Sequence, residues 1–190
     1  MAERNRNMKD MLVQAGIDEI NAHGVHNFSI RRVADACGVS CAAPYKHFKD
    51  KQAFILAIID YVNTQWGERQ QEVIASCGNT FREQIVEICV AYVQFLMEKP
   101  FYRSILLLKN DEYDNIYHRA QGQLNSRSQQ LQFSFFATTD LDLSTQQRKL
   151  HICRAILFGT IFLIDAGEIT YCQETLENMR YAIDREFDLP

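Results

Sequence analysis

The sequence predicts an all-helical fold, and three observations predict it. The 190 residues include only 3 prolines and 8 glycines, too few punctuators for a turn-rich β-protein. Apolar residues recur at spacings of three and four along several long stretches. A Ser or Thr followed three residues later by Glu or Gln stands ahead of two of those stretches. The expected architecture is an N-terminal three-helix helix-turn-helix unit over residues 1–50. A shared fourth helix joins it to a helical body over residues 51–190, about nine helices in all.

Composition sets the broad class. A chain with 47% hydrophobic and 23% charged residues is ordinary for a globular protein and long enough to bury a substantial core. No stretch approaches the roughly 20 apolar residues of a membrane span. The opening M-A-E-R-N-R-N-M-K-D has no apolar core of a signal peptide, so a cytoplasmic location and no membrane partner are expected.

The first helix is expected from about Lys9 to His23, with Met8, Leu12, Ala15, Ile17 and Ile20 on its apolar face and Gly24 as its stop. Arg4, Arg6 and Lys9 have two readings, a reach towards a phosphate backbone or a solvated tail. Phe28 plugs the three-helix core. Ser29 then caps a short helix whose Ile30, Val33, Ala34 and Cys37 share a face. Gly38 sits where the chain must turn sharply, and Val39 is the apolar plug of that turn. Ser40 is expected to cap a second short helix that begins with the small residues Cys41, Ala42 and Ala43 and continues through Tyr45, Lys46 and His47 to Phe48. Pro44 cannot donate to the Ser40 carbonyl, so its first turn should tighten. Small residues at a helix start allow close approach to another surface, as when a recognition helix enters the major groove.

Ile30, Arg31, Val33, Ala34, Gly38, Val39, Ser40, Tyr45, His47, Phe48 and Lys51, with these gaps, resemble the DNA-binding domain of TetR-family transcriptional regulators. The resemblance covers roughly residues 9–60 and implies a dimeric, ligand-responsive repressor with a double-stranded DNA operator as partner. It implies DNA contacts at Ser29, Arg31, Ser40, Cys41, Ala42, Ala43, Tyr45, Lys46, His47 and Lys51. Arg31 can read a guanine edge or clamp a phosphate, and the alanine methyls suit a thymine methyl. Tyr45 and His47 also have core readings, as ring filler and packed imidazole. Cys41 replaces the polar or basic residue often found at its place, which thins the base contacts and leaves specificity to Arg31, Tyr45, Lys46 and DNA shape.

Charge is distributed to match. The net charge is −4, yet residues 29–51 hold five basic side chains against two acids, while residues 52–190 hold 12 against 18. A protein that meets DNA through one region only would look like this.

Asp50 is expected to cap the fourth helix. The run A-F-I-L-A-I-I from Ala53 to Ile59 is apolar on every side and so buried on every side, and the helix continues past Trp66 to about Ser76. No Gly/Pro/Ser linker intervenes, so the two regions should be coupled through this helix. Thr80 and Glu83 form a capping box for a helix bearing Phe81, Ile85, Ile88, Tyr92 and Phe95 and ending before Pro100. A short apolar segment from Phe101 to Leu108, a polar break, and a helix from about Asp114 to Ala137 follow. Ser144 and Gln147 are read as the next capping box, ahead of a helix that is apolar on nearly all faces from Ile152 to Ile164. Leu176, Met179, Ile183 and Phe187 stripe the last helix.

So much apolar surface calls for a second copy of the chain. Ile156, Phe158, Ile161, Phe162, Leu176, Met179 and Ile183 are the expected homodimer contacts. Trp66, Tyr92, Phe95, Phe101 and Tyr102, with Phe133, Phe136, Phe158 and Phe162, are the expected lining for an apolar or aromatic small-molecule effector, with core packing as the other reading. Asp165 and Glu168 read as a helix-end contact or a cation site. The six cysteines have no zinc-module spacing, so no metal or cofactor is expected, and no nucleotide, protease or hydrolase motif points to an enzyme. Two alternatives stand beside the repressor: a helical small-molecule-binding or interaction protein without DNA readout, and a repressor switched by oxidation of Cys41 at a helix start.

Overall fold

The computed structural model describes residues 2–107 and 129–188. Its elements are α1 (Ala2–His23), α2 (Ile30–Ala36), a 3-10 turn (Pro44–Lys46), α3 (Lys51–Ser76), α4 (Phe81–Glu98), α5 (Pro100–Leu107), α6 (129–136), α7 (Leu143–Asp165) and α8 (Gln173–Glu186). The described residues contain no strand. None of their helices is long and apolar enough to cross a membrane. Chain contacts divide the protein into two compact units, Met1–Gln65 with Lys99–Leu124, and Trp66–Glu98 with Asn125–Pro190. α3 runs through the boundary between Gln65 and Trp66 as one continuous helix.

In the first unit, Leu12, Val13, Ile17 and Ile20 of α1 pack towards Ile30, Val33 and Ala34 of α2 and Phe54, Ile55, Ile58 and Ile59 of α3, all buried. Gly16 lies where an added Cβ would stand 2.7 Å from Ile58 Cδ1, so α1 and α3 approach closely there. Three rings pin the connecting loops: Phe48 stacks on Phe54 at 3.9 Å, and Phe28 meets Phe54 edge-on at 5.3 Å. α1 starts at Ala2, seven residues before the expected start at Lys9. In α5, Phe101 and Tyr102 are buried, and the Tyr102 hydroxyl donates to Asn63 Oδ1 of α3. The expected helix start at Asp114 and the polar break lie outside the described residues.

The second unit packs α8 on α4 and α7. Thr80 and Glu83 form the expected box, the Glu83 amide donating to Thr80 Oγ1 at 3.2 Å and the Thr80 amide to Glu83 Oε2 at 3.3 Å. At the start of α7 the expectation fails. The cap is Asp142, whose Oδ1 accepts from the Thr145 amide at 3.0 Å, and Ser144 lies inside the helix. A carboxylate is the stronger acceptor at the positive end of a helix, and those hydrogen bonds hold its pKa below the usual range. α7 closes at Gly167, with φ +72°, and the Glu168 amide returns to the Leu163 carbonyl at 2.9 Å. Asp165 and Glu168 are exposed at this end.

Candidate nucleic-acid interface

The interface is built on α2 and the segment after it. Ser29 caps α2, its Oγ accepting from the Arg32 amide, and Ile30, Val33 and Ala34 set the helix on the core. α2 ends in a left-handed Gly38, φ +66°, with the Gly38 amide bonded to the Asp35 carbonyl and the Val39 amide to the Ala34 carbonyl. Only a residue without Cβ takes that conformation cheaply. Val39 and Cys37 are half-buried beneath the turn.

The expected second helix does not form as an α-helix. Pro44 has no amide to offer Ser40, so the Ser40 carbonyl takes the Ala43 amide at 2.8 Å instead. Cys41 and Ala42 form the turn that this bond closes, and a single 3-10 turn follows over Pro44–Lys46. The Phe48 amide returns to the Pro44 carbonyl at 2.9 Å. Pro44 and Phe48 are buried and act as two nails holding the turn down.

This arrangement sorts the expected contact residues. Arg31, Ser40, Cys41, Ala42, Tyr45 and Lys46 are exposed, Tyr45 by 57%. A core-filler role for Tyr45 is excluded by that exposure. Ala43 and Ser29 are half-buried, and His47 is half-buried with its ring tilted against Phe48 at 6.1 Å. The Lys51 ammonium donates to the His26 carbonyl at 3.0 Å, so the structure employs it in tying α3 to the loop after α1. Asp50 Oδ1 caps α3 through the Ala53 amide at 2.8 Å. Lys49, one of the five basic residues of 29–51, is exposed on the same segment.

One functional group was missed. Glu19 of α1 is only 8% exposed and accepts from the Ser29 amide at 3.1 Å and from Arg32 Nε at 2.8 Å. Arg32 is thereby turned back onto the protein, and its Nη2 also donates to the Asn27 carbonyl at 2.6 Å. An acid on the apolar face of α1 was the one signal available in the sequence.

The other expected sites separate. Trp66 lies 5.2 Å from both Tyr92 and Phe95, and Tyr92 meets Phe158 at 6.5 Å, a packed ring cluster of the second unit. Phe136 is buried in a different group with Phe135 and Phe187. Phe101 and Tyr102 belong to the first unit, and Phe133 is exposed. Seven of the nine aromatic residues belong to the second unit and two to the first. A cleft of about 920 Å³ in the second unit is instead bordered by Arg69, Glu72, Glu87, Gln94, Arg180 and Tyr181, none of them in the expected set. Of the expected dimer contacts, Ile161, Leu176, Met179 and Ile183 are buried inside the chain's own α4–α7–α8 core and offer nothing to a partner. Ile156 is half-buried, and Phe158 and Phe162 are exposed by 39% and 67%. The Cys153 thiol is pushed up to about 11 by burial, while the exposed Cys172 thiol is held below its ordinary value by the Thr175 hydroxyl and amide.

A short helix-turn-helix with exposed Arg31, Tyr45 and Lys46 on an all-helical chain is the build of a DNA-binding transcriptional regulator. Residues 12–58 match the sequence model of bacterial regulatory proteins of the tetR family. A comparison with curated proteins finds no match. Among solved structures, a TetR-family transcription regulator from Marinobacter aquaeolei superposes with a TM-score of 0.66 at 17% identity, covering 98% of each chain. A TetR-like transcriptional regulator from Rhodococcus sp. gives 0.68 at 14% identity, covering 95% of this chain and 96% of that one. The transcriptional regulator FadR from Bacillus subtilis, in complex with stearoyl-CoA, gives 0.69 at 16% identity, covering 93% and 96%. Residues 12–58 are thus similar to the DNA-binding domain of tetR-family regulators, and the chain as a whole shares the fold of these solved regulators.

Proposed function

We propose that this chain is a homodimeric, ligand-responsive repressor that binds a palindromic operator. The observation that carries the reading is the exposed set Arg31, Cys41, Ala42, Tyr45 and Lys46 on a segment nailed down by Pro44 and Phe48. Two such segments in a dimer would address half-sites about one helical turn, roughly 34–36 Å, apart. Base reading rests on Arg31, with Tyr45 and Lys46 on phosphates and His47 and Ser40 at the edge of the contact. Dimerisation is assigned to the outward face of α7 at Ile156, Phe158 and Phe162.

The effector is proposed to be a small apolar or aromatic molecule acting on the second unit near Trp66, Tyr92 and Phe95. The fold likeness to FadR, a regulator seen with stearoyl-CoA, supports that class. α3 begins in the first unit and ends in the second, so a change at its far end is carried along one helix and alters the spacing of the DNA-reading segments. By linkage, effector and DNA weaken each other equally. A cytoplasmic location goes with this role.

The test is fluorescence anisotropy at about 150 mM salt with the gene's own upstream region, a scrambled duplex, and a duplex selected from random sequence. Sequence-dependent nanomolar binding that weakens in Arg31→Ala and Tyr45→Phe is expected. Equal, salt-erased binding to every duplex, selected ones included, would leave a helical small-molecule-binding protein. Trp66 is the single tryptophan, so its emission reports candidate effectors directly.

A further inference from the structure

We infer that Glu19 is a positioning residue for DNA binding, acting through Arg32 to set the orientation of α2 and hence of Arg31. The inference rests on the DNA-binding reading above and adds to it a residue outside the helix-turn-helix segment.

α2 has seven residues, two turns, and a helix that short holds its place only through tertiary contacts. Its apolar anchors Ile30, Val33 and Ala34 fix which face looks inward. At the start of the helix, where Arg31 projects, Ile30 is the one apolar anchor, and a polar hold is added to it. Three donors supply it. The Ser29 amide, Arg32 Nε and Arg32 Nη2 converge on Glu19 Oε1, the first two at 3.1 and 2.8 Å. Arg32 Nη2 also holds the Asn27 carbonyl at 2.6 Å, which fixes the loop entering α2. His23 Nε2 stands 3.7 Å from the other carboxylate oxygen. Glu19 is nearly buried, and the Arg32 guanidinium is the opposite charge set against it. The local charge count is thereby revised. Both arginines are exposed, but Arg32 is committed to Glu19, which leaves the neighbouring Arg31 as the one to meet DNA.

A positioning role and a phosphate contact by Arg32 predict opposite signs. Anisotropy with a duplex selected by this chain, over roughly 50–300 mM salt, compares the wild type with Glu19→Gln, Arg32→Gln and the double variant. Each single change is expected to weaken binding about ten-fold, the scale of one lost charge-assisted hydrogen bond. The double variant should lose no more than either single one, because the two residues act as a unit. The slope of log affinity against log salt should stay at the wild-type value in all three. If Arg32 instead met a phosphate, Glu19→Gln would free it and binding would tighten or stay level. Arg32→Gln would then lower the slope by about 0.9. Either of those results, or additive losses, overturns the inference. Should Glu19→Gln fail to fold, Arg32→Gln decides by its slope alone.

Amide exchange gives a readout without DNA. Residues from Ser29 to Ala36 should exchange faster in Glu19→Gln and Arg32→Gln but not in Arg31→Ala. Unchanged exchange overturns the positioning role even where affinity falls. A wild-type chain that selects no duplex overturns the DNA-binding reading instead, and the exchange result still decides whether the pair orders α2.

Discussion

At Gly38 a single backbone angle decides whether the recognition segment can follow α2. Its φ is +66°, and a Cβ added there would meet nothing within 4 Å, so the cost of a side chain is conformational and not steric. Gly38→Ala should therefore destabilise the protein by about 1–2 kcal/mol, read as a lower urea midpoint with an unchanged m-value. Gly16 is the converse case. Alanine normally stabilises a helix interior, yet a Cβ here would lie 2.7 Å from Ile58 Cδ1 and 3.2 Å from Phe54 Cε2. Overpacking should win, and Gly16→Ala should cost about 1–3 kcal/mol on the same measurement. The thiols divide by the same local logic. Burial holds the Cys153 thiol protonated with a pKa of about 11, whereas Cys172 is exposed and its thiolate is favoured by Thr175. Alkylation followed by mass mapping at pH about 8 should label Cys172 early and Cys153 only on unfolding.

At the scale of elements, α7 shows how much of the fold sequence alone could reveal. The limits of α3, the Asp50 cap, the Thr80–Glu83 box and the Gly38 stop were all legible, because each is a local signal with one competent residue. At the start of α7 two cap residues stand two positions apart, Asp142 and Ser144, and the periodic apolar run begins too late to choose between them. The recognition helix was mistaken for a regular one although Pro44 was in view, because losing one hydrogen bond in a segment this short removes the helix and does not merely tighten it. The Glu19–Arg32 pair spans 13 residues and a turn, and no periodicity reports such a contact. Aromatic content, for its part, cannot tell a pocket wall from a core. The Asp142 cap makes a prediction with a defined sign. Its folded pKa is depressed, so its stabilisation is present above the unfolded value of about 3.9 and is lost as pH falls through the folded one. The difference in thermal stability between wild type and Asp142→Ala should be constant above about pH 5 and close below about pH 4. Asp142→Asn, which keeps a neutral cap, should show no such closure. Deeper in α7, Lys149 is 1% exposed and donates to the Glu186 carbonyl at 2.8 Å, with Glu186 Oε1 at 4.0 Å. Lys149→Met should cost about 3 kcal/mol or more by stranding the Glu186 charge, and adding Glu186→Gln should recover most of it.

For the whole molecule the open question is what covers α7. The helix buries Lys149, Cys153, Leu157 and Ile161, one residue per turn, and leaves Phe158 and Phe162 outward. In the proposed dimer a second copy of the chain would bring two such faces together by symmetry and shield Phe158 and Phe162 of each copy from water. Each buried ring contributes roughly 1.5–3 kcal/mol, enough in sum to matter for a dimer though not to fix its affinity. The acidic balance of residues 52–190 bears on the same point, since one copy presents few positive charges to DNA. In the proposed dimer two copies would double the count on a palindrome, and the salt slope, set by the number of phosphates met, would double with it. Phe162→Glu should therefore yield a monomer in sedimentation equilibrium at micromolar protein. Its affinity for a full operator should fall to that for a half-site, with about half the wild-type salt slope, while the unfolding midpoint stays close to that of the wild-type chain measured as a monomer. A Phe162→Glu protein that still sediments as a dimer would place the interface elsewhere on the chain. A monomer that kept full operator affinity would mean that one copy reads the operator alone.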